Sequence, residues 1–172
     1  MKKFAIYNVV NLILLVGYVV LIVLKNQIKI INITNSDFWF STLVIVVGIS
    51  LLLKAIIFKS DSSTWFGSLL TTNGSVVFLS KLFALSYAML WPTILSSIML
   101  SSLLVAVFYK DWFHLKIFVW FLIVSVVCYL YSFKIITFLM FIVLLVISLV
   151  LAFVVAKLIP IKAFLTKRSN NG

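Results

Sequence analysis

The stretches LVIVVGISLLL at residues 43–53 and FIVLLVISLVLAFVV at residues 141–155 are apolar on every side. A membrane barrel or a half-buried strand requires alternation of apolar with polar residues, and neither stretch alternates. Of the 172 residues, 65% are hydrophobic and only 10% are charged, whereas soluble domains carry about 25% charged residues. The two stretches therefore predict transmembrane helices, and the composition indicates that lipid is the solvent for most of the chain.

Apolar runs of about 20 residues, enough to cross roughly 30 Å of hydrocarbon as a helix, recur along the chain. Helices are expected because an open strand would leave backbone groups unpaired in lipid. The pattern predicts an all-α, polytopic transmembrane helical bundle of about five spans, with six as the alternative. The predicted spans are residues 4–24, 38–58, 82–109, 117–133 and 135–158. A polar loop at 59–80 and a basic tail at 159–172 complete a single transmembrane domain.

The net charge of +11 arises from fourteen Lys and Arg against three acidic residues. The basic residues lie at the ends of apolar runs, so we expect them to meet anionic lipid head groups, and no nucleic-acid partner is predicted. With five spans, Lys54 lies inside the second span, and of the other basic residues five fall on the amino-terminal side and eight on the opposite side. An even number of spans would instead place both basic termini in the cytoplasm, so the charge count leaves the orientation open.

One polar stretch, residues 59–80 (KSDSSTWFGSLLTTNGSVVFLS), is long enough to have a role of its own. Its large apolar residues recur at helical spacing and predict a short amphipathic helix: Trp65, Phe66, Leu69 and Leu70. Asp61 or Ser62 is placed to cap this helix. A turn is predicted at 72–75, leading to the third span. A passive interfacial helix is one interpretation of the stretch, and a docking element for a partner is the other.

The third predicted span contains Trp91-Pro92 followed by pairs of serines. Pro92 predicts a kink, because proline in a helix frees a backbone carbonyl one turn earlier. Ser97 and Ser101, four residues apart, would let a neighbouring helix approach closely. Helix packing is the simpler interpretation of this face, and a polar stripe lining a passage is the functional alternative.

The residues that carry catalysis are scarce in this sequence. There is no Gly-rich phosphate loop with a following Lys. Three Asp, one His and one Cys provide no acid–base pair. His114 has no second His, Cys or Glu nearby to share a metal, and Cys128 lies in an apolar run as a small core residue. The sequence therefore predicts a protein that is not an enzyme and has no catalytic, cofactor or metal site.

The segment from the end of the second span into the third resembles the membrane subunits of type-two ABC exporters, the permeases that pair with a separate ATPase. The resemblance rests on Phe58-Lys59-Ser60-Asp61, on Trp65–Leu70, on the predicted turn Thr72–Ser75 and on Val76–Leu82 with Lys81. It covers about 30 residues strongly and the preceding helices by their order alone.

The resemblance implies that residues 59–80 face the cytoplasm and dock on the ATPase. The docking candidates are Asp61, Trp65, Phe66, Leu69 and Leu70. It also implies an exported amphipathic substrate, such as a peptide, lipid or drug, and a homo- or hetero-oligomer of membrane subunits. The expected location is a bacterial cytoplasmic membrane, crossed several times. The alternative is a small non-transporting accessory or immunity protein that packs against another membrane complex.

Overall fold

The computed structural model describes residues 2–27, 34–86 and 90–158, and the regular structure in these ranges is entirely helical. The helices are α1 (Lys2–Gln27), α2 (Asn35–Phe58), α3 (Asp61–Leu82), α4 (Pro92–Tyr109), α5 (Trp112–Ser132) and α6 (Phe138–Leu158). Within these ranges, α1, α2, α4 and α5 are long and apolar enough to cross a membrane, and residues Phe138–Leu151 of α6 form a shorter apolar segment. The prediction of an all-α membrane-embedded protein is confirmed.

The helices pack in the order in which the chain forms them. In the described ranges, every substantial helix–helix contact joins neighbours in sequence, and the closest pair is α2 with α3. Helix α3 therefore lies between α2 and α4, whereas α1 and α6 each pack against one neighbour. The most polar helix, α3, lies in the interior of the row, and the most apolar helix, α6, lies at one end.

Three glycines allow α2 and α3 to approach closely. A Cβ atom at Gly67 would lie 2.8 Å from the backbone nitrogen of Leu52, and one at Gly74 would lie 2.8 Å from Cγ1 of Ile45. A Cβ atom at Gly48 would meet α3 just as closely. Real Cβ atoms do not tolerate such distances, so any larger residue at these positions would force the helices apart. Small residues serve this purpose in membrane helices generally, because they let two backbones come together.

Helix α3 runs antiparallel to α2 along most of its length. At one end, Nζ of Lys81 lies 3.2 Å from Oδ2 of Asp37. The rings of Phe38 and Phe78 follow, with their centroids 5.9 Å apart. The 22 residues of α3 correspond to about 33 Å at 1.5 Å per residue. Helix α3 is therefore as long as a membrane span.

The structure corrects the prediction for residues 59–80. The predicted turn at Thr72–Ser75 is wrong, because α3 continues through it to Leu82 and is longer than the short helix predicted. Its polar side chains bond within the helix: Nδ2 of Asn73 donates to the carbonyl of Leu69 at 3.0 Å. Gly74 lies against Ile45 of α2, where there is no room for a side chain. The Asn-Gly turn signal is overridden by packing.

The start of the third predicted span also differs. Residue 82 ends α3, and the next span, α4, begins at Pro92. Pro92 occupies the first turn of this helix, and the backbone one turn earlier, where the kink is predicted, lies outside the described residues. Proline is favoured there, because its missing N–H would have no partner in the helix anyway.

Two short links produce tight helical hairpins at one end of the row. Lys59 and Lys110 end α2 and α4 in the left-handed conformation, with φ of 52° and 53°. Ser60 and Asp111 follow at once, and each side chain accepts a hydrogen bond from a backbone N–H in the first turn of the next helix. This combination of a left-handed C-terminal residue and a polar N-cap reverses the chain within two residues.

Candidate functional site

Three side-chain hydrogen bonds cross between α3 and α4, and we call the residues that make them the polar seam. The bonds join Thr64 Oγ1 to Tyr109 Oη at 2.9 Å, Trp65 Nε1 to Ser102 Oγ at 3.1 Å, and Asn73 Nδ2 to Ser97 Oγ at 2.8 Å. They follow one another along the two antiparallel helices. Polar groups in an apolar medium gain from such mutual bonding, since water is not available as a partner.

The serines of α4 provide the buried side of this seam. Ser97, Ser101 and Ser102 are all 0% exposed. Ser97 donates its own hydroxyl to the carbonyl of Ile94 at 2.6 Å while accepting from Asn73. Ser101 donates to the carbonyl of Ser97 at 2.7 Å. Their small, internally bonded side chains let α4 pack closely without leaving a hydroxyl unpaired.

Asn73 is the amide of the seam and lies near the middle of α3. Its Nδ2 donates to both Leu69 and Ser97, so both amide hydrogens are used. Its carbonyl oxygen Oδ1 has no hydrogen-bond partner among the described residues. Asn73 therefore offers an acceptor at mid-helix depth.

A cavity of about 230 Å³ lies beside the seam. Its walls come from the second half of α3 and from the start of α4 with the two residues before it: Asn73, Val76, Val77, Ser80, Leu90, Trp91, Thr93 and Ile94. Most of this lining is apolar, and none of these side chains is charged. An apolar cavity with a few polar groups is the usual form of a small-molecule site.

The five predicted docking residues differ in how far they are exposed. Asp61 and Phe66 are exposed, and Phe66 is 53% exposed. Leu69 and Leu70 are half-buried. Trp65 is also half-buried, and its indole is committed to Ser102 of α4. The five residues therefore do not form one free face, because α4 takes up Trp65.

Sequence reasoning identified Ser97 and Ser101 as packing residues, and the structure places both in the core of α4. It missed Asn73, which it assigned to a turn, and it missed the close approach of α2 and α3. The signal for that approach is the seven-residue spacing of Gly67 and Gly74, which puts both glycines on one helix face.

Asp111, immediately before α5, and His114, in the first turn of α5, form a polar pair. Nδ1 of His114 lies 2.8 Å from Oδ2 of Asp111. Burial alone would raise the pKa of Asp111, but hydrogen bonds from His114 and from the backbone N–H of Phe113 outweigh it and lower the pKa below its ordinary value. Within the described ranges, no three metal-ligating side chains come together.

No protein-family model matches the chain, and no curated protein or solved structure is significantly similar to it. The polar seam and its cavity are therefore the starting point for function.

Proposed function

We propose that this chain is a non-enzymatic membrane subunit of an export complex and that a separate ATPase supplies the energy. The observation that carries the proposal is the cavity beside the polar seam, inside a protein that is otherwise apolar. Packing alone requires small residues, but it requires neither a cavity nor an acceptor without a partner. A site of this kind suits an amphipathic molecule taken from the bilayer.

The proposal includes a membrane crossing by α3, which gives six crossings in all. Helix α3 matches the length of a span and is paired with α2 from Lys81 at one end to Gly67 and beyond. Since α2 is apolar and long enough to cross, a helix packed along it crosses with it. The polar groups of α3 are tolerated because α2 and α4 cover them on two sides.

With six crossings, the count of basic residues no longer leaves the orientation of the chain open. Ten of the fourteen basic residues then fall on the side of the amino terminus: Lys2, Lys3, Lys54, Lys59, Lys110, Lys116, Lys157, Lys162, Lys167 and Arg168. Four fall on the other side: Lys25, Lys29, Lys81 and Lys134. The positive-inside rule then places both termini and the Lys59–Ser60 link in the cytoplasm.

Single cysteines test this topology in a Cys128→Ala background. With six crossings, Ser36→Cys reacts with an impermeant thiol reagent added outside intact cells, and Lys110→Cys reacts only after the membrane is opened. With five crossings and α3 outside the bilayer, both positions lie on the same side. Equal labelling of the two variants would therefore contradict a crossing by α3.

The cytoplasmic tip of α3 is the proposed contact with the ATPase. Phe66 and Asp61 are the exposed candidates there. Phe66→Ala should reduce recovery of the ATPase with a tagged chain about thirtyfold, the effect of losing a 2 kcal/mol anchor. Phe108→Ala is the matched control, because Phe108 is 71% exposed near the same end of α4. Equal recovery from the Phe66 and Phe108 variants would contradict docking at this tip.

The helix row itself favours a second candidate function, an accessory or immunity protein bound to another membrane complex. Helices α1 and α6 each have one packed neighbour in the described chain, so their remaining faces are open to a partner in the bilayer. This function requires no ATPase. Recovery of a membrane complex without any ATPase, from native membranes solubilised in mild detergent, would favour it over the export subunit.

A further inference from the structure

The cavity between α3 and α4 is selective in size. Its volume of about 230 Å³ is below the roughly 300–1,000 Å³ of sites that enclose whole drug-sized ligands. It therefore accommodates part of a molecule, such as a segment of an alkyl chain. The walls formed by Val76, Val77, Leu90 and Ile94 provide apolar contact for such a chain.

The side chains that line the cavity offer mainly hydrogen-bond acceptors. Ser80 donates its hydroxyl to the carbonyl of Val77 at 2.7 Å, and Thr93 donates to the carbonyl of Leu90. Both amide hydrogens of Asn73 are also used. Asn73, Ser80 and Thr93 are therefore left with oxygens that accept. The indole N–H of Trp91 is the remaining donor type in the lining. The hydroxyl group of a ligand could donate to the accepting oxygens and accept from this indole.

Charge selects further among ligands. No lining side chain is cationic, so a buried carboxylate or phosphate would lose its hydration without gaining a counter-charge. An alcohol loses much less and can donate its proton to Oδ1 of Asn73. We propose that this cavity binds an uncharged lipid alcohol, with its alkyl chain between α3 and α4 and its hydroxyl on Asn73.

The position of the cavity agrees with a ligand from the bilayer. It extends from Asn73, near the middle of α3, to Trp91, just before α4 begins. This is the half of the hairpin remote from the Lys59–Ser60 link. With six crossings, it is the outer half of the membrane, where an exported lipid would leave.

The test uses the purified full-length chain in detergent and two brominated probes, 9,10-dibromostearyl alcohol and 9,10-dibromostearate. Bromine quenches tryptophan fluorescence at short range, and Trp91 lies in the lining. We expect saturable quenching by the alcohol, and at least about tenfold weaker binding of the carboxylate, the factor that corresponds to 1.4 kcal/mol. Trp91→Phe should remove most of the saturable quenching.

Two variants separate the cavity from the rest of the surface. Val77→Phe fills the cavity and should abolish saturable binding. Val107→Phe adds the same bulk at a position on α4 that is 63% exposed, and it should bind like the parent. Asn73→Leu removes the acceptor and should weaken alcohol binding about tenfold while leaving carboxylate binding unchanged. Since Asn73 also bonds to Ser97, Val77→Phe remains informative if the leucine variant does not fold.

Equal binding of both probes, or unchanged binding to Val77→Phe, would overturn the assignment. Export of this ligand rests on the function proposed above, but its binding does not. Alcohol binding without any associated ATPase would contradict the export function and leave the ligand site intact. An associated ATPase without alcohol binding would contradict the ligand site and leave the export function intact.

Discussion

Helices α3 and α6 have nearly the same length and opposite character. Helix α3 contains serines, threonines, an asparagine and two glycines, and it lies between two neighbours with close contacts to both. Helix α6 is almost wholly apolar, yet within the described ranges its substantial packing is against α5 alone, and among its described side chains only Ser148 is buried. The more apolar of the two helices is the less buried one.

This inversion follows from the solvent. In water, apolar side chains are driven inward, but lipid tails are as apolar as leucine, so no such force draws α6 into the row. Close approach of backbones and hydrogen bonds between side chains are what hold membrane helices together. Helix α3 provides both, through Gly67 and Gly74 against α2 and through Asn73 and Trp65 against α4.

The largest effect on this contrast between α3 and α6 is expected when a glycine in the α2–α3 contact is replaced by a larger residue. Gly67→Leu should destabilise the fold by about 3 kcal/mol or more, because the new side chain meets the backbone of α2. Reversible unfolding in mixed SDS micelles, followed by circular dichroism, measures the loss. Gly17→Leu is the matched control, since a Cβ at Gly17 in α1 has no atom within 4 Å. A similar loss in both variants would mean that the added side chain destabilises the helix wherever it is placed, and that the close contact with α2 does not set the effect.

The next largest effect concerns the indole of the seam. Trp65→Phe removes the bond to Ser102 and should cost about 0.6–1.7 kcal/mol, the range of side-chain bonds between membrane helices. Ser102→Ala removes the same bond from the other side. If the bond stabilises the seam, the double variant should cost less than the two single losses together. Strict additivity in the same unfolding assay would show that the bond contributes nothing.

A smaller effect is expected at the Lys81–Asp37 pair. Both side chains are partly exposed, at 40% and 34%, so solvent and salt screen their attraction. Lys81→Met should lower stability slightly in dilute buffer, and the difference should vanish at high salt. A loss that persists at high salt would indicate that Lys81 acts through its packing on α2 and not through its charge.

The smallest expected effect is the pH dependence contributed by Asp111. Its pKa is lowered in the folded protein, so the unfolded state binds its proton first as the pH falls. The stabilisation from Asp111 is therefore present above its ordinary pKa and is lost as the pH falls through the folded value. Asp111→Asn should flatten the stability profile as the pH falls below the ordinary pKa of an aspartate, about 3.9. If the loss of stability at acid pH is unchanged in this variant, groups other than Asp111 cause it.

Much of the architecture could be predicted from local sequence. The apolar runs around Leu43–Leu53 and Phe141–Val155 lie in α2 and α6 as expected. The failures concentrate at residues 72–92. There, Asn-Gly predicts a turn, because both residues have strong local preferences, and the third span is predicted to begin at residue 82. In the structure, the Asn-Gly pair lies inside α3, and α4 begins at Pro92.

The sequence by itself determined that the chain is helical and membrane-embedded, because backbone hydrogen bonding in lipid permits little else for long, uniformly apolar runs. It also determined which α4 serines could pack, since spacing alone puts them on one face. Only the tertiary structure decided that residues 61–82 form one long helix inside the row, with Gly67 and Gly74 against α2 and Asn73 against Ser97. The physical reason is that a polar, glycine-containing segment is a poor helix on its own, and it becomes a good one when two neighbouring helices accept its glycines and bond its polar side chains.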